Sequence, residues 1–130
     1  MRWMMATAAL LAAAPLAAQS VAIDSRIYHE TAGTDGEWHL APANRLLRGD
    51  RVITVLRWDA PLGANYTAVS LVPAGLAIES ASRAGIEVST DGGHSWQRLD
   101  DPDEIPRGTT HLRWQIDGGE GRLSYRSVVR

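Results

Sequence analysis

The pattern of apolar and polar positions changes character near Ser20. From Met4 to Ala18 every residue is small or apolar, with Leu10, Leu11 and Leu16 set among alanines, and no charge occurs between Arg2 and Asp24. From Val21 onward the chain becomes a series of short runs in which apolar and polar residues alternate, separated by glycines and prolines. A period of two marks strands that bury one face, whereas an amphipathic helix needs apolar residues at three- and four-residue spacing. No segment after Val21 sustains the helical spacing, so the pattern predicts an all-β domain.

The strands predicted are Val21–Tyr28, Trp38–Leu40, Arg51–Trp58, Tyr66–Val72, Leu76–Ser82, Ile86–Ser89, Trp96–Leu99, His111–Ile116 and Arg122–Val129. In Arg51–Trp58, Val52, Thr54, Leu56 and Trp58 share one face, and Ile53, Val55 and Arg57 the other. Both faces are largely apolar, which predicts a central strand covered in part on both sides. His111–Ile116 alternates cleanly, with Leu112, Trp114 and Ile116 inward, and Leu123 and Tyr125 face inward from the last strand. Trp38–Leu40 is expected at a sheet edge.

Turns are expected at Gly33-Thr34-Asp35-Gly36, Arg48-Gly49-Asp50, Pro73-Ala74-Gly75 and Asp91-Gly92-Gly93, and loops at Asp59–Asn65 and Asp100–Thr109. Pro73 suits the second position of its turn, with Gly75 completing it. Gly118-Gly119 follows a strand and opens no helix, which makes it a hairpin and not a phosphate loop. About seven to nine strands then pair as two packed antiparallel sheets.

The charge-free N-terminal run has the layout of a secretory signal: one basic residue, an apolar stretch ended by Pro15, and small residues at Ala17, Ala18 and Ser20. Cleavage is expected after Ala18, with Ser20 as the alternative. A retained membrane anchor is the rival reading, since the span is nominally long enough. Its alanine content, and the absence of a basic stop-transfer cluster behind Gln19 and Ser20, favour the cleaved signal. Residues 1–18 are thus read as a signal-peptide helix, and 21–130 as one domain exported to the periplasm or beyond. No second apolar stretch follows, so a soluble mature protein with no transmembrane segment is expected.

Composition narrows the function. There is no cysteine, so no disulfide, no lipidated N-terminus and no thiol nucleophile is available. Lysine is absent, and without Arg2 there are twelve arginines against fifteen carboxylates, a net charge of −3. That weak acidity argues against nucleic acid as a partner, because phosphate binding needs a basic footprint. With no phenylalanine in the chain, tryptophan and tyrosine must supply the aromatic bulk of the core. Trp38 is read either as a surface recognition residue or as a core anchor, with the core as the default.

Five pieces in order carry a resemblance: Leu47-Arg48-Gly49-Asp50-Arg51-Val52; Leu71-Val72-Pro73-Ala74-Gly75-Leu76; Val88-Ser89-Thr90-Asp91-Gly92-Gly93-His94-Ser95-Trp96; Thr110-His111-Leu112-Arg113-Trp114; and Gly119-Glu120-Gly121-Arg122-Leu123-Ser124-Tyr125-Arg126. Over residues 47–130 the chain resembles the conserved-repeat domain of unknown function found in bacterial surface and secreted proteins. The resemblance implies an immunoglobulin-like β-sandwich, no enzymatic activity and no catalytic residues. The chain departs from the pattern at Arg48, where proline is usual, and in the loop after Trp58, which lacks the usual Asn-x-Gly step. It also carries a single copy where the family often has tandem arrays.

The sharpest local motif is Ser89-x-Asp91-x-Gly93-x-x-Trp96, which matches the Asp-box hairpin of sialidases and other propeller blades. Asp91 is expected to accept hydrogen bonds from turn amides, Gly93 to take φ > 0, and Trp96 to pack back under the turn. One copy cannot build a propeller, so the four residues are read as a structural turn. Asp100, Asp101, Asp103 and Glu104, with Asp91, are weak candidates for calcium. Their spacing is not that of an EF-hand, and a solvated acidic loop is the plainer reading. His29, His39, His94 and His111 stand at no recognised ligand spacing and are read as surface residues. No catalytic constellation, cofactor motif or nucleophile elbow appears. The expected function is that of a non-catalytic exported module that binds an envelope protein or surface polymer. The alternative is a calcium- or carbohydrate-binding module built on the Asp91 hairpin and the acidic 100–104 loop.

Overall fold

A computed structural model describes residues 21–33, 35–43, 45–63 and 65–130. The predicted signal peptide, and Thr34 of the first predicted turn, lie outside the described residues. The domain is all-β. Nine strands are present among the described residues: β1 (Ile23–Ala32), β2 (Trp38–Pro42), β3 (Arg51–Ala60), β4 (Tyr66–Leu71), β5 (Leu76–Ala81), β6 (Glu87–Ser89), β7 (Gln97–Arg98), β8 (His111–Ile116) and β9 (Gly119–Val129). They form two antiparallel sheets, one ordered β2-β1-β3-β9-β5 and the other β4-β8-β6-β7. Among the described residues no helix is long and apolar enough to cross a membrane.

The sheets pool one core. The larger sheet gives Val52, Leu56, Trp58, Ile78, Leu123 and Tyr125, and the smaller gives Ala68, Val88, Leu112, Trp114 and Ile116. Trp58 and Trp114 meet across it with ring centroids 5.7 Å apart. With Tyr125 they supply the expected aromatic bulk. The alternation along β3, β8 and β9 is realised as predicted, residue for residue. β3 is central, paired to β1 and β9. Its outer face is only half-covered, at Ile53 and Val55.

Four details depart from the sequence expectation. Gly118-Gly119 is not a hairpin: β8 lies in the smaller sheet and β9 in the larger, so the glycines carry the chain between sheets. Both have positive φ, and a Cβ on Gly118 would stand 2.7 Å from the Pro61 carbonyl oxygen. In the turn at Pro73, Leu76 N–H donates to Pro73 O at 2.9 Å, so the proline is the first residue of the turn and not the second. Trp38 is 58% exposed on edge strand β2 and is not a core residue. All five residues of β2 are exposed, so this edge strand lies outside the core that the two sheets share. His29 is not a plain surface histidine. It points inward from β1, half-buried, with Nε2 3.5 Å from Asp50 Oδ2.

Candidate functional site

The motif residues converge at the β6–β7 hairpin, as the sequence predicts. The strand ends at Ser89, which is 1% exposed, and the chain must reverse within a few residues to pair β7 with β6. Asp91 organises the reversal. Its Oδ1 accepts from the Ser89 hydroxyl at 2.7 Å, from His94 N–H at 3.1 Å and from Ser95 N–H at 2.9 Å. Its Oδ2 accepts from the Ser95 hydroxyl at 2.6 Å. Ser89 Oγ in turn accepts from Gly93 N–H at 2.8 Å. Gly92 and Gly93 both take positive φ, at 80° and 95°, where a side chain would be strained. The Ser95 hydroxyl, then the Ser95 amide and the Ser89 hydroxyl, hold the Asp91 carboxyl well below the usual carboxylate range.

Thr110 fastens the hairpin to the rest of the sheet. Its N–H and hydroxyl both donate to Ser89 O, at 2.8 and 3.2 Å, and Gly92 N–H donates to its hydroxyl oxygen at 3.1 Å. Trp96 is half-buried against the turn, with the ring 3.8 Å from where a Cβ on Gly93 would lie. It lies beside outward-facing side chains of β8: the Arg113 guanidinium is 4.2 Å from the indole centroid, and the His111 ring meets it edge-on at 6.5 Å. Arg113 is held by Glu87, its register partner on β6, through two hydrogen bonds of 3.2 and 2.7 Å. The same pair keeps the Glu87 carboxyl below its ordinary value. The result is a layered surface of Glu87, Arg113, Trp96 and His111.

Chemically this arrangement is closed on itself. Both Asp91 oxygens and both Glu87 oxygens already accept from the protein. His111 Nδ1 lies 2.9 Å from the Thr110 hydroxyl, which is itself bonded to Ser89 O and Gly92 N–H. The acidic loop is not drawn in: Asp101 Oδ1 caps Asp103 N–H at 2.9 Å within its own turn, and Asp100 lies 3.9 Å from exposed Arg98. Among the described residues no three His, Asp or Glu side chains are grouped to hold a metal ion. The histidines are likewise dispersed. His39 contacts Asp35 at 3.2 Å, and His94 Nδ1 lies 2.8 Å from Asp91 O.

Sequence reasoning named four of the turn residues and missed Ser95, Thr110, Glu87 and Arg113. Ser95 sits inside the motif and carries a hydroxyl, a signal that could have been used. The Glu87–Arg113 pairing needs the strand register, which no local pattern supplies. Comparison of the chain with family models, with curated proteins and with solved structures finds no match in any of the three.

Proposed function

We propose that the chain is an exported, non-catalytic β-sandwich of immunoglobulin-like architecture that serves as a binding or structural module of the bacterial cell envelope, a single-copy relative of the conserved-repeat domain it resembles. The observation that carries this reading is the division of labour on the surface. The motif-bearing polar side chains spend their hydrogen bonds on the hairpin and its neighbours. Large apolar side chains stand exposed on two edge strands, Trp38 and Leu40 on β2 and Val69 and Leu71 on β4. Exposed apolar residues on sheet edges suit the addition of a partner strand or the docking of a partner surface. The proposed likeness to immunoglobulin domains extends to two antiparallel sheets and not to strand order. In the constant-type order the last strand lies at an edge, whereas β9 lies between β3 and β5.

The alternative, a calcium- or carbohydrate-binding module, requires carboxylate oxygens that Asp91 gives to its own turn. The test is expression of the full chain in a Gram-negative host. The expected product is a processed protein in the exported fraction, beginning at Gln19 or Val21. The expected enzymology is no turnover in a screen of glycosidase, esterase and peptidase substrates. Turnover that disappears on replacing a single acidic residue or histidine would overturn the reading.

A further inference from the structure

Sheet edges attract foreign strands, and folded proteins guard them with charge, proline, bulges, brevity or cover. Among the described residues, three of the four edges are guarded. β2 contains Pro42. β5 contains Glu79, is irregular between Ile78 and Ser80, and is covered by the acidic loop, with Ala81 N–H donating to Pro102 O at 2.9 Å. β7 is two residues long and one of them is Arg98. Among the described residues, β4 has none of these devices. It reads Tyr-Thr-Ala-Val-Ser-Leu, within a stretch from Ala60 to Ile78 that holds no Asp, Glu, Lys, Arg or His. Val69 and Leu71 are 51% and 63% exposed on it.

The open hydrogen-bonding groups of β4 can be assigned. Val72 N–H donates to Thr110 O at 2.8 Å, continuing the β4–β8 ladder. Backbone groups in an antiparallel pair turn toward the partner at every second residue. Ser70, Ala68 and Tyr66 therefore direct theirs to β8, and Thr67, Val69 and Leu71 direct theirs to the open edge. The geometry points to a second copy of this chain as the occupant, paired antiparallel through β4 about a two-fold axis at Val69. In that register Val69 opposes Val69, and Thr67 opposes Leu71 of the second copy. Each opposed pair exchanges both backbone bonds, so about six hydrogen bonds form and no open group is left over. A shift by one position on either side leaves groups at one end unpaired. The absence of charge is what permits self-pairing, because any ionised side chain near the axis would meet its own copy, and like charges directly opposed are destabilising. The contact is isologous and closes at two copies, so it yields a dimer with the two smaller sheets joined and not a filament. A six-residue edge is small against a standard interface, so the association is weak. This inference goes beyond the envelope-module reading and does not depend on it.

The test is sedimentation of the protein purified after expression of the full chain, with amide hydrogen exchange on the same samples. The expected result is a species of twice the monomer mass at about 100 µM that dissociates on dilution. The Thr67, Val69 and Leu71 amides should slow in exchange as it forms. Val69→Lys is expected to weaken association at least about tenfold, with circular dichroism and Tm near those of the parent. Thr67→Lys, on the same exposed face, reads the same edge should the first variant be poorly folded. Trp38→Lys on β2 is expected to leave association unchanged. A protein that stays monomeric to about 500 µM, or lysine variants of β4 that associate as the parent does, would overturn the proposal. So would a dimer lost in Trp38→Lys but kept in Val69→Lys. Protection of the Val69 amide that requires a different polypeptide would overturn the second copy as the occupant.

Discussion

The Ser89 hydroxyl donates to Asp91 Oδ1 at 2.7 Å while accepting from Gly93 N–H at 2.8 Å. One hydroxyl thus connects the end of β6, the carboxylate two residues on, and the glycine that completes the reversal. The carboxylate must be ionised to accept from Ser89, His94 and Ser95 together. Its folded-state pKa is depressed, so its contribution to stability is fully present above the ordinary carboxyl value of 3.8 and is lost as pH falls through the lower folded value. Asp91→Asn is expected to lower Tm at pH 7 and to flatten the fall of Tm between about pH 4 and pH 2. Thermal melts of parent and variant across that range check it. Parallel curves would show that Asp91 is not the titrating fastener.

Gly118 is expected to be the least replaceable glycine of the inter-sheet connection. Its φ is +91°, and a Cβ would meet Pro61 O at 2.7 Å, a backbone atom that cannot swing aside. Gly118→Ala should cost about 2 kcal/mol or more. Gly108, with open space around it and no positive φ, provides the control. Gly108→Ala should be neutral or stabilising by a few tenths of a kcal/mol. Urea unfolding of both variants distinguishes them.

The core offers a pair of opposite expectations. Leu123 is 0% exposed at the centre of β9, and Leu123→Ala is expected to cost about 2–5 kcal/mol, a large part of the stability of a domain this size. Ser127, also 0% exposed, has a hydroxyl with no hydrogen-bond partner. Ser127→Ala removes an unsatisfied group and is expected to be neutral or stabilising by up to about 1 kcal/mol. Equilibrium unfolding in urea measures both, with an unchanged slope expected for the serine variant.

Arg113 covers Trp96 and is held there by Glu87. Arg113→Ala should shift Trp96 emission to the red by opening one face of the indole to water. The partly exposed ion pair itself should contribute only about 0.2–1 kcal/mol. Glu87→Gln should give a smaller shift of the same sign, since it loosens Arg113 without removing it. Fluorescence with the other tryptophans described (Trp38, Trp58 and Trp114) replaced by phenylalanine isolates the signal. An unchanged spectrum in Arg113→Ala would mean that the stacking does not persist in solution.

The all-β class, the inward stripes of β3, β8 and β9, and the turn made by Ser89, Asp91 and Gly93 are legible in the chain because each depends on neighbours a few residues apart. Alternation is imposed by the pleat, and the turn is closed by side chains that reach two to four residues along. The failures share a different cause. Gly118-Gly119 has the composition of a hairpin, but whether a turn joins neighbours in one sheet or crosses to the other depends on where the next strand finds its partner. Trp38 and Trp58 are the same residue type in similar apolar runs. One lies on an edge strand whose five residues are all exposed, and the other on the central strand of the larger sheet.

Residues close together in the chain set the period of two, the positions at which the chain must reverse and the carboxylate that fastens the sharpest reversal, and the lack of cysteine leaves stability to packing. Tertiary structure decided which strands became edges, that Glu87 faces Arg113 across β6 and β8, that Arg113 lies over Trp96, and that the uncharged run after Ala60 ends up as an open strand. These are register and neighbour relations between segments far apart in the chain. They are set by how two apolar faces close on one core, and no local pattern encodes that.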